Sequence, residues 1–278
     1  MPTKGSLTDR VLSIPPQAIF AVLFVLIFIP YIRPVSIPIP VTDYVRRYKD
    51  SMDAVPQGGH VVLSLDSSIG GILETGGAMV ATVKYYVNRR PDVKLIIWGM
   101  HYDCPIVWSR FIEPLLKDRK YGVDYVWFGY IPGADAAIGK LSDDIRGILQ
   151  YDAYGKAVDD LPIMQGIRNA NDIALLHTYD TYGHAWSYIG HWQARYKTKL
   201  NLTVMSANIP LAAVYFTAGQ IVGFCGGSRG CAELERITGF LGIATPTVDA
   251  LSLSLLYGLV LLAVSNIAFW TGRRRGRR

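Results

Sequence analysis

The sequence predicts an α/β protein: a doubly wound, mostly parallel three-layer sheet domain flanked by one transmembrane helix at each end. Two observations predict this. One long uncharged stretch lies near each end of the 278-residue chain. Between them, short runs rich in β-branched and aromatic residues alternate with helical stretches, which is typical of a parallel sheet covered on both faces. The predicted organisation is an N-terminal anchor over residues 1–33, a linker and short helix over 34–58, the α/β domain over 59–245, and a C-terminal transmembrane helix with an Arg-rich tail over 246–278.

The first uncharged stretch covers residues 11–32 and predicts a membrane anchor. As a helix it would span about 30 Å, the thickness of the hydrocarbon core of a bilayer. Pro15 and Pro16 lie in its first turn, where a missing amide costs little. A basic N-terminus followed by an apolar run is also typical of a signal peptide, but no small-residue cleavage site follows here. We therefore expect an anchor.

The second uncharged stretch covers residues 250–272, between Asp249 and Arg273. Trp270 lies at its end, where an aromatic side chain suits the membrane interface. Asn266 lies inside it, and an amide in hydrocarbon prefers a partner on another helix. We expect Asn266 and Trp270 to mediate membrane association, with Asn266 facing the first span or a neighbouring subunit.

Positive charge predicts the orientation of the two spans. Five arginines follow the second span, at positions 273, 274, 275, 277 and 278, whereas the first has basic residues on both sides. Because basic residues favour the cytoplasmic side, both termini are expected in the cytoplasm and the domain outside it. These five arginines supply most of the net charge of +6. The near-neutral remainder disfavours nucleic-acid binding, so the expected partners are the lipid bilayer and other membrane subunits.

The middle of the chain predicts six strands and six helices. The predicted strands are residues 60–65, 93–98, 125–128, 173–176, 202–205 and 221–224. The predicted helices are residues 72–89, 105–119, 134–149, 183–198, 208–218 and 229–240. Residues 151–171 form the longest predicted irregular stretch.

Ionisable side chains follow several predicted strands, where parallel sheets bind ligands. They are His101, Asp103, His177, Asp180 and His184. Such residues can act as metal ligands or as an acid and a base. No paired-histidine spacing holds them together, however, and ordinary polar loop residues are the favoured interpretation. No catalytic or metal-binding residue is predicted.

The turn after the first strand contains Asp66, Ser67, Gly70 and Gly71. It resembles the Ser-Pro-Gly-Gly turn of Clp-like and signal-peptide-peptidase-like serine hydrolases, whose glycine amides form an oxyanion hole. In those families a nucleophilic serine follows the next strand. Here residues 99–104 contain no serine, and Ile69 replaces the proline. The resemblance implies, as an alternative function, a hydrolase with a degenerate active site, and these four residues are candidate ligand contacts.

A glycine-rich box follows the last predicted strand. Its members are Gly226, Gly227, Ser228, Arg229 and Gly230. A strand, a glycine turn and a helix start can present backbone amides to an anion, so a small-anion sensor is a second alternative. Close packing of the turn against the sheet explains the glycines equally well.

Several motifs together resemble an uncharacterised family of prokaryotic membrane-anchored α/β proteins. They are Gly-Tyr-x-Pro-Gly at 129–133, Leu-Pro-Ile-Met-x-Gly-Ile-[Arg/Lys]-Asn at 161–169, Gly-Gln-[Ile/Leu]-Val-Gly at 219–223, and the glycine box followed by Ala-Glu-x-Glu at 232–235. The resemblance covers nearly the whole chain and implies the same anchor–domain–anchor architecture, without an activity. The chain departs from the family at Cys231, where alanine is common, and at residues 177–184, where a loop of small residues is usual.

The favoured function is a non-enzymatic, membrane-anchored subunit or scaffold of a membrane assembly, which we expect to self-associate. No complete catalytic constellation is visible, and 17 tyrosines with six tryptophans offer interface residues. Cys104, Cys225 and Cys231 show neither a disulfide framework nor zinc spacing, so buried thiols are expected. No cofactor is indicated.

Overall fold

The computed structural model describes residues 13–275, with side chains through residue 271. The described residues form two compact units, one of residues 13–37 with 246–275 and the other of residues 38–245. Lys4, Arg10, Arg277 and Arg278, which contribute to the predicted orientation, lie outside the described residues, as do the side chains of residues 273–275. Residues 11 and 12 of the predicted first span also lie outside them.

The domain is built on one six-stranded parallel sheet, as predicted. The strands are β1 (His60–Ser64), β2 (Lys94–Gly99), β3 (Tyr125–Tyr130), β4 (Leu175–Asp180), β5 (Leu200–Val204) and β6 (Gly223–Gly226). Their order is β3-β2-β1-β4-β5-β6, and every neighbouring pair is parallel. The chain builds outward from β1 in one direction and then from β4 in the other. The order therefore reverses between β1 and β4, where doubly wound sheets leave a crevice.

Helices cover both faces of this sheet. The described helices are α1 (Pro16–Ile32), α2 (Asp43–Asp53), α3 (Ile72–Arg89), α4 (Cys104–Val107), α5 (Ala134–Asp143), α6 (Ile145–Ile148), α7 (His184–Tyr188), α8 (Ala194–Tyr196), α9 (Ile209–Thr217), α10 (Gly227–Thr238) and α11 (Ala244–Arg275). Successive side chains of a strand point to opposite faces. In β4, His177 contacts α2 and α3 through the hydroxyls of Tyr48 and Tyr86, whereas Leu176 packs in the core formed with α5 and α7.

Strand β4 begins and ends later than predicted. The prediction stopped at residue 176 because a run of polar residues follows, yet the strand continues to Asp180 and every residue of it is buried. His177 and Thr178 are accommodated because they find partners inside the domain: His177 bonds two tyrosines, and Thr178 donates to Asp66. Buried polar groups are tolerated when they are hydrogen-bonded.

Three of the predicted helices are interrupted. In place of the predicted helix over 105–119, α4 is followed by a π-helix over Trp108–Ile112 and a 3₁₀ turn over Glu113–Leu115. The helix over 183–198 likewise contains a π segment, Ile189–Gln193, and the helix over 134–149 is divided at Asp144. Pro114 has no amide to donate, so a regular α-helix does not continue through it.

One described helix segment, Ala244–Thr271, is long and apolar enough to cross a membrane. The helix at the other end, Pro16–Ile32, is apolar but has only 17 residues. Within this unit the hydroxyl of Tyr257 donates to the carbonyl of Ile19 at 3.1 Å. Buried Asp249 accepts from the amides of Ser36 and Ile37, which fixes the chain just after the first helix.

Asn266 is exposed and donates to the carbonyl of Leu262, four residues earlier in its own helix. The first helix is therefore not its hydrogen-bond partner in the described chain, and a contact with a neighbouring subunit stays a prediction. Trp270 is also exposed and packs edge-on against Phe269.

Candidate functional site

The candidate site lies at the carboxyl ends of β1, β2 and β4, beside the point where the strand order reverses. We call the group formed by Asp66, His101, Asp103, Asp180 and His184 the crevice cluster. Ligands of open α/β sheets bind at this place because the connections diverge to opposite faces and leave a gap between them.

Asp66 is the fully buried centre of the crevice cluster. Its Oδ1 accepts from the Ser64 hydroxyl and the Met100 amide, both at 2.8 Å. Its Oδ2 accepts from the Thr178 hydroxyl at 2.8 Å. Burial and the nearby charge of Asp180 raise the pKa of Asp66 to about 6. The carboxyl group thus ties β1 to β2 and β4 at the floor of the crevice.

A hydrogen-bonded chain supports Asp66 from below. The Ser64 hydroxyl lies 2.7 Å from the hydroxyl of Tyr188, which accepts from the indole N–H of Trp98 at 2.9 Å. All these groups are buried. Since every member has a partner, the floor of the crevice is rigid.

Asp180 ends β4 and organises the turn that follows it. Its two oxygens accept from the amides of Tyr182, Gly183 and Ala185 at 2.9–3.1 Å. An aspartate placed before a helix can satisfy amides that the first turn leaves unpaired. Gly183 has a φ of +100°, a conformation that glycine adopts without strain.

His184 lies against Asp180. Its Nδ1 is 3.6 Å from Asp180 Oδ1, an ion-pair distance that is too long for a good hydrogen bond. Nδ1 is buried, and the described part of the chain offers it no other partner. Burial lowers the pKa of His184, but Asp180 and Asp66 outweigh it, so the pKa is raised above its ordinary value. The imidazolium form therefore partly offsets the charge of the two carboxylates.

His101 carries a buried hydrogen-bond donor that is unpaired within the described residues. Its ring is only 3% exposed. Nδ1 accepts from the Asp103 amide at 3.1 Å, so the neutral ring holds its proton on Nε2. Nε2 is buried and has no hydrogen-bond partner among residues 13–275. Burial lowers the pKa of His101, which keeps the ring neutral. The Nε2–H of His101 is therefore available to an acceptor atom of a ligand.

Two exposed tyrosines flank His101. The rings of Tyr102 and Tyr182 lie 4.1 and 4.3 Å from the His101 ring, measured between centroids, and both are tilted by about 30°. The tyrosines are 66% and 60% exposed. Tyr182 hydrogen-bonds Tyr102 and raises the pKa of its hydroxyl. These two side chains cover His101 and are free on their outer faces.

The predicted turn residues Asp66, Ser67, Gly70 and Gly71 lie together at this crevice, but the serines are not presented to it. Ser67 is buried, and its hydroxyl lies 2.7 Å from that of Thr75 and donates to the Tyr179 carbonyl. The Ser68 hydroxyl caps the turn by accepting from the Gly71 amide. A Cβ on Gly71 would lie 2.4 Å from Thr181, so this glycine allows close packing.

Asp103 links the turn to the second strand. Its Oδ2 accepts from the Ile69 amide at 2.9 Å. Because Asp103 and His101 belong to one loop, the β1 turn and the β2 loop are held against each other. This loop and the turn form one wall of the crevice.

The glycine-rich box lies outside the crevice cluster. It begins at Gly226, the last residue of β6, and its glycines are packed tightly. A Cβ on Gly227 would lie 2.0 Å from the Ser206 hydroxyl, one on Gly226 2.4 Å from Ile209, and one on Gly230 3.0 Å from the Cys225 carbonyl carbon. Ser228 donates to the carbonyl of Leu73 in α3. Arg229 points outward and pairs with Glu233 in its own helix. These contacts support the packing interpretation of the box.

His177 is the one predicted ionisable residue that lies outside the crevice. It is on the other face of β4, with Nε2 and Nδ1 each 2.9 Å from a tyrosine hydroxyl, those of Tyr86 and Tyr48. Burial lowers its pKa to about 3. The ring is therefore a neutral structural link between α2 and α3.

Sequence reasoning missed Thr178, Tyr188 and the flanking role of Tyr102 and Tyr182. Tyr188 is 124 residues from its partner Ser64, and no local pattern joins them. The tyrosines did carry a signal: just after a strand, Tyr102 lies between His101 and Asp103, and Tyr182 lies two residues from both Asp180 and His184. Within the described residues, no group of three or more His, Cys, Asp or Glu side chains is arranged to hold a metal ion.

The arrangement suits recognition better than covalent chemistry. The carboxylates hold turns and strands, and neither serine of the turn is presented as a nucleophile. What remains for a ligand is the His101 donor, the partly buried His184 and two aromatic rings. No protein-family model, curated protein or solved structure matches this chain.

Proposed function

We propose that this chain is a membrane-anchored ligand-binding protein whose α/β domain binds a small, uncharged, ring-containing molecule at the crevice cluster. The observation that carries the proposal is the buried Nε2–H of His101, which no described residue pairs. Leaving a buried donor unpaired costs about 1–3 kcal/mol, and an acceptor atom of a ligand would remove that cost.

The charges around the crevice favour an uncharged ligand. Asp180 lies close enough to raise the pKa of Asp66, and within the described residues His184 is the nearby group that offsets the two carboxylates. An anionic ligand placed about 5 Å from one of these carboxylates would be repelled by about 3 kcal/mol at an effective dielectric constant of 20. An anion is therefore disfavoured. A cation is attracted, but both oxygens of each carboxylate already accept hydrogen bonds.

The flanking tyrosines favour a ligand with a ring. Tyr102 and Tyr182 present large exposed faces beside a buried polar group, and aromatic rings of this kind bind the flat faces of bases and sugars. To reach His101, the ligand must displace at least one of the two side chains. Their exposure leaves room for that movement.

Thermal unfolding of the full chain in lipid nanodiscs tests the proposal. Adenosine, uridine and glucose are compared with AMP, UMP and glucose 6-phosphate, their charged counterparts. We expect a neutral member to raise the unfolding midpoint in a concentration-dependent manner, and more than its charged counterpart. His101→Phe should abolish the shift. His191→Phe, outside the crevice and paired with Asp135, should retain it. No shift with any neutral compound would contradict the proposal.

The hydrolase alternative is tested separately. A fluorophosphonate probe labels an activated serine, and the hydrogen bonds of Ser67 and Ser68 leave neither activated. We expect no labelling. Labelling that is lost in Ser67→Ala or Ser68→Ala would favour a hydrolase instead.

We also propose that α1 is a second anchor, that both termini are cytoplasmic, and that the chain self-associates as part of a membrane assembly. The apolar helix α9 supports self-association, since Leu211 and Val214 are exposed on it. Sizing in detergent tests this part, and a clean monomer would count against it.

A further inference from the structure

Exposed apolar side chains lie side by side at the carboxyl edge of the sheet, around the mouth of the crevice. We call them the apolar rim: Ile69, Leu73, Tyr102, Ile106 and Tyr182, which are 39–66% exposed. The amides of Ile69 and Ile106 both donate to Asp103, at 2.9 Å. Tyr182 hydrogen-bonds Tyr102, and Leu73 follows Ile69 by one helical turn. A contiguous apolar surface of this kind is typical of an interaction site.

The two edges of the sheet differ in charge. At the carboxyl edge, the connections 65–71, 100–103, 131–133, 181–183 and 205–208 contain no lysine or arginine. Their two carboxylates, Asp66 and Asp103, accept hydrogen bonds from the domain itself. At the amino edge, where the strands begin, the connections 90–93, 116–124 and 197–199 contain six basic residues. The carboxyl edge can therefore contact a surface of low polarity without burying a cation.

The last residues of the domain run toward this same edge. The Leu241 carbonyl accepts from Lys84 Nζ at 3.4 Å. Three residues later, Ala244 packs against Gly77, where an added Cβ would lie 2.4 Å from the Ala244 Cβ. Glu235 holds this position by accepting from the Ala244 amide at 3.0 Å. Gly77 is about 10 Å closer than Lys84 to the start of α3, which lies at the carboxyl edge, so the chain approaches that edge as it leaves the domain.

We propose that the apolar rim lies on the surface of the lipid bilayer that α11 crosses, which rests on the membrane anchoring proposed above. Helix α11 begins at Ala244 and contains the segment that is long and apolar enough to cross a membrane. Tyr102 and Tyr182 suit the headgroup level, where the ring is in apolar surroundings and the hydroxyl stays hydrated. Ile106 and Leu73 add aliphatic contacts at the acyl boundary. The crevice cluster then opens at the membrane surface.

The chemistry of the apolar rim selects uncharged or zwitterionic lipid. Its five side chains carry no charge, so it gains nothing from anionic headgroups. A contact of this kind is not screened by salt, whereas the attraction of a basic surface to anionic lipid is. The contact should therefore form on pure phosphatidylcholine and persist at high ionic strength.

Fluorescence quenching of the full chain in phosphatidylcholine nanodiscs tests this contact. An environment-sensitive fluorophore is attached to Ile106→Cys, and the bilayer contains phosphatidylcholine that carries a doxyl spin label near its headgroup. Leu73→Cys provides a second position on the apolar rim. The three native cysteines are buried, and the wild-type chain treated in the same way gives the background. Circular dichroism confirms that each variant is folded.

Asp118→Cys is the matched control, because it is an exposed position at the amino edge. We expect the spin-labelled lipid to quench Ile106→Cys and Leu73→Cys several-fold more strongly than Asp118→Cys, equally at low and high salt. Iodide in the water should quench in the reverse order. Equal quenching by lipid at the two edges, or stronger quenching at Asp118→Cys, would overturn the proposal. Labels on the apolar rim that neither lipid nor iodide quenches would overturn it too, because a second copy would then cover the rim.

Leu259→Cys separates this result from a failure of the membrane anchor. Leu259 is exposed on α11, and lipid that is spin-labelled near the bilayer centre should quench a label there. Quenching at Leu259→Cys without quenching at Ile106→Cys and Leu73→Cys would keep the anchor and overturn the rim contact alone. Absence of quenching at all three positions would overturn the anchor and the rim contact together.

Discussion

At the scale of single residues, buried polar side chains are the main feature of this domain. Asp66, His177 and Asp180 are buried in or beside central strands, and each has hydrogen-bond partners. Their positions after predicted strands could be read from the sequence, because the carboxyl ends of parallel strands share one edge. The face of the sheet on which each side chain lies could not be predicted. His177 was expected to follow β4 but lies within it, and the alternation of side chains along the strand points it away from the crevice.

His177→Phe tests the structural role of the buried histidine. The substitution removes the partner that both tyrosine hydroxyls share, while Tyr48 keeps its 3.4 Å contact with Thr82. We expect it to destabilise the domain by about 2–4 kcal/mol at pH 7. The folded pKa is about 3, below the unfolded value of about 6.5, so the folded state binds fewer protons between these values. The free energy of unfolding of the wild-type protein should therefore fall as pH drops below about 6.5. That of the variant should fall by less.

Thermal unfolding midpoints at pH 7 and pH 5 provide this measurement. Tyr86→Phe is the matched control, because it removes one hydrogen bond and keeps the imidazole, so it should retain the pH dependence. Equal pH dependence in the wild-type protein and His177→Phe would show that the ring is not held neutral.

Asp66→Asn tests the raised carboxyl pKa of the crevice floor. An asparagine can keep the hydrogen bonds from Ser64 and Met100 while losing the charge. The folded pKa is about 6, above the unfolded value of about 3.9, so ionisation costs stability as pH rises from 4 to 7, by about 3 kcal/mol at most. In thermal unfolding, the midpoint of the variant should rise relative to that of the wild-type protein over that pH range. A constant difference between the two would contradict the raised pKa.

At the scale of elements, the six strands and the centres of the helices followed from the hydrophobic pattern, but the interruptions of the helices did not. The π segments Trp108–Ile112 and Ile189–Gln193 carry Trp108, which stacks on Trp127 of β3, and Trp192, which lies against Trp98 of β2. Local sequence does not encode such long-range contacts. The glycine-rich box was visible in the sequence. Its tight contacts with Ser206 and Ile209 were not, because they join elements far apart in the chain.

Gly227→Ala tests whether the box is a packing device. Gly227 has a φ of +57°, and its added Cβ would meet the Ser206 hydroxyl, which is itself bonded to Glu74. Gly155 has a φ of +83° but open space around it. Both substitutions incur about 1–2 kcal/mol of backbone strain. Gly227→Ala should cost about 1–3 kcal/mol more because of overpacking. Equal costs in denaturation experiments would contradict a packing role.

At the scale of the whole molecule, composition predicted a membrane protein with an α/β domain, and the structure provides the parallel sheet and one helix long enough to span a bilayer. The side of the membrane depends on charge, which is a property of the flanks and not of the fold. The candidate ligand site could not be predicted from the sequence. The folded loop around Asp103 is what engages Nδ1 of His101 and leaves its Nε2–H unpaired within the described residues.

Protease protection tests the proposed orientation. Since the arginine tail should remain cytoplasmic, protease added outside intact cells should cut the α/β domain and leave a C-terminal epitope tag protected. Permeabilised cells are the control, in which both are cut. Protection of the domain in intact cells would place it in the cytoplasm.

The central claim is that the His101 Nε2–H is unpaired without a ligand and paired with one. Histidine-selective ¹⁵N NMR of the full chain measures this directly, with His101→Phe assigning the signal. We predict a neutral ring protonated at Nε2, whose N–H resonance moves downfield when the neutral compound that raised the unfolding midpoint is added, while the His177 signals stay fixed. A His101 signal that does not respond to that compound would contradict the account.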